Sequence, residues 1–73
     1  MRVDLVDPEG TILREIADPR MKQADIALTY AFALRQEPDN TDWSTVNRAI
    51  VERWSMSGLS RIKALAWKRY EGG

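Results

Sequence analysis

WSTVNRAIVERWSMSGLSRIKALAWKRY, residues 43–70, is the stretch on which the fold reading turns. Trp43, Val46, Ile50 and Trp54 recur at spacings of three and four, which is one face of an α-helix. Ser55, Met56, Ser57 and Gly58 then break the pattern. Leu59, Ile62, Ala66 and Tyr70 resume it, with Leu65 beside them. The spacing predicts two helices, 43–55 and 58–70, joined by a short turn. Asp42 or Thr41 caps the first and Ser57 the second. Trp43 and Trp54 lie on the apolar stripe and are read as core. Trp67 lies off it, among cations.

Upstream, Glu37-Pro38-Asp39-Asn40-Thr41-Asp42 reads as a loop, since Pro38 cannot continue a helix. Asp18-Pro19 reads as a helix start, with a capping acid and a proline at the first helical position. A helix is therefore expected over 19–36. Its run Ile26-Ala-Leu-Thr-Tyr30-Ala-Phe-Ala-Leu34 is apolar on nearly every side, the mark of a central, buried helix. Met21 starts its buried face, and in so short a chain the run also points to a homodimer seam through residues 20–36.

Residues 2–16 read as a β-hairpin. Val3 and Leu5 share a face in the first strand, and Thr11 to Ile16 returns as the second. Asp7-Pro8-Glu9-Gly10 supplies the turn: Asp accepts local backbone bonds, Pro presets φ, and Gly permits positive φ. That register places Leu5 opposite Ile12 and Arg2 opposite Glu15, a favourable pair of charges. The expected class is α+β, mostly helical: an N-terminal β-hairpin followed by a three-helix bundle, as a single domain over 1–73.

The chain has 73 residues, with no cysteine and no histidine. A domain this short buries only about 60% of its unfolded surface, so its core is marginal. Disulfides and Cys/His zinc sites are excluded, and no acidic run has the spacing of a calcium loop. No metal or cofactor is expected. Without histidine or cysteine the common general bases and nucleophile pairs are missing, so the chain reads as non-enzymatic. Carboxylate pairs such as Asp4/Asp7 and Asp39/Asp42 sit at turn positions. The longest apolar run falls well short of the ~20 residues that span a bilayer. The N-terminus is acidic where a signal peptide is apolar. A cytoplasmic protein without membrane contact is expected.

The formal charge is zero, yet it is split. Residues 1–42 carry five cations and nine acids, net −4, while residues 43–73 carry six cations and two acids, net +4. Such asymmetry points to a face for an anionic partner. The helix pair suggests which face. A helix-turn-helix reader places its second helix in the DNA major groove. Here that helix would present Ser57, Ser60, Arg61 and Ala64 to base edges, Arg61 being able to grip guanine with both guanidinium arms. Arg48, Arg53, Lys63 and Lys68 would meet phosphates. Ala49, Leu59 and Ile62 would pack between the helices. The expected function is a small DNA-binding, regulatory module with the third helix as reader. The alternative is a protein–protein module, such as an inhibitor, adaptor or accessory subunit, using Met56, Trp67 and the basic face. Trp67 decides between an open face and a lid over the hairpin.

Overall fold

The computed structural model describes residues 7–36 and 38–72. Three helical elements make it up: α1 (Pro8–Ala17), α2 (Gln23–Gln36) and α3 (Trp43–Gly72). Each packs against the other two. No strand occurs among the described residues.

The expected β-hairpin is therefore overturned, and the class is all-α. Its first strand, residues 2–6, lies outside the described residues, but its second is helix α1. The Asp-Pro-x-Gly signal is real and works as a helix start. Asp7 Oδ1 accepts the Gly10 N–H at 3.2 Å, and Pro8 occupies the first turn, where no amide donor is needed. Glu9 adds negative charge at the positive end of the helix dipole. Ile12 and Ile16, four apart, then fall on one face and are both buried. A strand would also put them on one face, so burial does not separate the two readings. The cap does.

The start of α2 also moves, from Pro19 to Gln23. Asp18 ends α1 instead of opening α2. Its carboxylate accepts the Arg20 N–H at 2.9 Å and fixes the turn through Pro19. This backbone bond, with the Arg20 side chain, holds the Asp18 carboxyl below its usual range. Asp25 Oδ2 accepts the Lys22 N–H at 3.3 Å, an acid in the first turn reaching back to an orphan donor. Ile26, Ala27, Thr29, Tyr30, Ala31 and Ala33 are buried, so α2 is the central element. Its alanines Ala27, Ala31 and Ala33 are part of the core. Leu28 remains 47% exposed, with Phe32 half-buried beside it.

Asp42 caps α3, accepting the Thr45 N–H at 3.2 Å and the Thr45 hydroxyl at 2.8 Å, which lowers its pKa. Glu9 Oε1 accepts the Asp42 N–H at 2.7 Å and ties the first turn of α1 to the start of α3. Trp43 packs on Tyr30 with ring centroids 4.8 Å apart, and its indole N–H donates to the Pro38 carbonyl at 2.9 Å. Tyr30 in turn donates its hydroxyl to Asn47 Oδ1 at 2.9 Å.

Helix α3 is broken at Ser55, whose φ of 71° and ψ of −179° are not helical. A straight helix of 30 residues would measure about 45 Å, yet the longest dimension of the molecule is 30 Å. The chain therefore folds back at this residue into two arms, 43–54 and 56–72. The joint is a single residue, so the expected turn over 55–58 is shorter than read and Met56 and Ser57 are already helical. Gly58 is required by the reversal: a Cβ there would lie 2.2 Å from Trp54 Cβ. Val46 and Ile50 from one arm and Leu59, Ile62 and Ala66 from the other close the core over α2.

Candidate functional site

The second arm of α3 buries Leu59, Ile62 and Ala66 and turns its other side to solvent. Met56, Ser60, Ala64 and Trp67 follow one another at helical spacing down that outer side, and all are exposed. Met56 is 63% and Trp67 53% exposed. Ser57, Arg61 and Lys68 form the neighbouring row, and Lys63 lies on the opposite flank of Trp67; these too are exposed. Seven of the nine residues expected to bind, Met56, Ser57, Ser60, Arg61, Lys63, Trp67 and Lys68, therefore share one open side of residues 56–72.

The other two do not join it. Arg48 is exposed on the first arm, across the Ser55 joint. Arg53 is partly buried and fully engaged: Nη1 donates to the carbonyls of Ile16 (2.8 Å) and Asp18 (3.0 Å), and Nη2 to those of Pro19 (3.3 Å) and Met21 (2.8 Å). The planar fork of guanidinium donors suits this task, because the last carbonyls of a helix lack partners within it. Arg53 is thus a structural clamp on the end of α1 and its connection to α2. Its fit was invisible in the sequence, since backbone carbonyls have no residue signature.

The cations of the outer face are otherwise little used. Arg61 donates to Gln23 Oε1 at 3.2 Å. Lys63 and Lys68 have no carboxylate partner among the described residues, whose ion pair is Arg20–Asp18 at 3.4 Å. Trp67 meets Tyr70 edge-on, centroids 5.2 Å apart and planes at 83°. It is not a lid over a hairpin. A cavity opens on each side of it. One, about 340 Å³, is walled by Tyr30, Leu34, Ala64 and Trp67, with Lys63 at its rim. The other, about 400 Å³, is lined by Arg61, Leu65, Lys68 and Glu71 together with Ala64 and Trp67.

The perturbed acid, half-buried Glu15, lies elsewhere. Burial pushes the Glu15 carboxyl above its usual range, the Thr29 hydroxyl offsets part of this, and Asp25 adds to it. Glu15 Oε1 is buried without a hydrogen-bond partner. It belongs to the packing of α1 on α2. No cluster of three or more metal-ligating side chains occurs among the described residues, and no helix there is long and apolar enough to cross a membrane. No family model matches the sequence, and no curated protein or solved structure is significantly similar to it.

Proposed function

We propose that the protein is a small non-enzymatic DNA-binding module, regulatory in character, whose contact element is residues 56–72. One observation carries the reading: Arg61, Lys63 and Lys68 stand exposed around Trp67 without a carboxylate partner among the described residues, interleaved with Ser57 and Ser60. Cations gather phosphates, serine hydroxyls add short polar contacts, and an exposed indole offers a surface for a base. The lack of histidine and cysteine fits a binding role. Arg53 drops out of the contact set, and Arg48 sits beyond the joint as a flanking contact.

The test is a fluorescence-anisotropy titration of labelled DNA over a salt series. Phosphate contacts release counterions, so log affinity should fall linearly with log salt. Replacing Arg61, Lys63 and Lys68 by alanine should weaken binding across all sequences and flatten that slope by about one unit per contact removed. No binding at low salt, or a triple variant indistinguishable from wild type, would refute the proposal.

A second reading, a protein–protein module, draws on a different observation: Met56 and Trp67 are large, apolar and exposed, and Trp67 borders an apolar cavity. Tryptophan and arginine are typical interface anchors. Binding to a protein that survives nuclease treatment and resists added salt would favour it.

A further inference from the structure

We infer that the site takes single-stranded nucleic acid, with one unpaired base inserted against Trp67. This rests on the nucleic-acid reading above and names the form of the ligand. In a duplex the bases are stacked on each other and offer only their edges. An indole at the centre of the contact face meets edges poorly but matches the flat face of an unpaired base.

The geometry around Trp67 is that of a slot. Tyr70 approaches edge-on, and among the described residues no aromatic ring stacks on the indole. The cavity beside it is lined by Tyr30, Leu34 and Ala64, so a ring entering it against the indole exchanges water for apolar contact. Cations bracket the slot. Lys63 is at its rim, while Arg61 and Lys68 border the cavity on the far side of the indole. Lys63 and Lys68 are five residues apart, about 7.5 Å along the helix axis. A backbone crossing the arm at Trp67 therefore has a positive group on either side, without the long basic track a duplex reader uses. A short site also suits a chain whose overall charge is zero.

The experiment compares labelled single-stranded oligonucleotides with a duplex of equal length, for the wild-type protein, Trp67→Ala and Trp67→Phe, with circular dichroism on each variant. The single strand should bind more tightly than the duplex. Trp67→Ala should weaken the single strand roughly 5- to 150-fold, the loss of one stacked base, while Trp67→Phe retains most of the affinity. Duplex binding should respond little to either change. Equal or tighter duplex binding, or single-strand binding insensitive to Trp67→Ala, overturns the inference but leaves the nucleic-acid reading standing. Binding to neither form at low salt removes both.

Discussion

Replacing Ser55 by glycine should stabilise the protein. With φ 71° and ψ −179°, Ser55 occupies a backbone region that is sterically open to glycine and closed to residues with a Cβ. Holding a side chain there costs about 1–3 kcal/mol. Glycine removes that strain but adds freedom to the unfolded chain, about 0.4–1 kcal/mol. It also loses the exposed contact of 3.1 Å between the Ser55 and Ser57 hydroxyls, which contributes about 0.5 kcal/mol or less at the surface. With each term at the middle of its range the balance is a gain of about 1 kcal/mol. For a domain of this size each kcal/mol moves the melting temperature by about 4–8 °C. Ser55→Ala is the control: it also deletes the hydroxyl but keeps the Cβ, so it should leave stability unchanged or slightly lower. Urea unfolding followed by tryptophan fluorescence measures both, read at equal m-values. A glycine variant no more stable than the alanine variant would refute the strained joint, and with it the account of how the arms of α3 reverse.

Two further outcomes follow from the packing of α1. Arg53→Lys keeps the charge but cannot span four carbonyls with one ammonium, so it should destabilise by about 1–3 kcal/mol; in chemical denaturation the midpoint falls, while the folded variant binds DNA with unchanged affinity, opposite to the Arg61/Lys63/Lys68 variant. Glu15→Gln should raise stability at neutral pH. The folded state raises the Glu15 pKa, so the stability this group contributes is full below its unfolded value of about 4.3 and is lost as pH rises through the higher folded value. Urea midpoints of wild type and Glu15→Gln should therefore converge on acidification below pH 4 and diverge toward pH 7; a gap that does not change with pH would contradict the burial of this carboxyl.

The periodic parts of the fold were legible in the sequence. Val46, Ile50, Leu59, Ile62 and Ala66 are core because their spacing is helical, and the interruption at Ser55 was visible as a break in that spacing. The N-terminal segment misled because its signals are shared. Asp-Pro-x-Gly closes a hairpin or opens a helix, and the isoleucines and threonine that follow are at home in strands. Nothing local decides between these uses. What decides is how the signal is used in the fold: Asp7 caps the Gly10 amide, and Glu9, in the first turn of the helix so started, accepts the Asp42 N–H at the start of α3. Asp18-Pro19 failed in the same way, since an acid before proline serves a turn as readily as a cap. In the site, Trp67 was legible as an aromatic off the apolar stripe. Arg53 was not, because its partners are main-chain carbonyls 32–37 positions earlier.

Two arginines explain how the charge split comes to matter. The C-terminal end of α1 lacks the glycine that commonly satisfies the last carbonyls of a helix, whereas α3 ends on Gly72. Toward both ends, arginines from other elements donate to main-chain carbonyls. Arg53 reaches the carbonyls at the end of α1, and Arg35 donates to those of Arg69 (3.3 Å) and Tyr70 (2.8 Å) near the end of α3. A cation at a helix C-terminus also meets the negative end of its dipole. Arg20 is paired with Asp18. These cations hold the fold together and offer little to a ligand. Arg61, Lys63, Lys68 and Arg69, by contrast, are exposed along residues 56–72 and have no carboxylate partner among the described residues. A net charge of zero therefore conceals a division of labour: among the described residues the structural cations are consumed by carbonyls and a turn acid, and Arg61, Lys63, Lys68 and Arg69 share a single helical arm with Trp67. That separation, rather than the total charge, is what makes the arm the place to look for an anionic ligand.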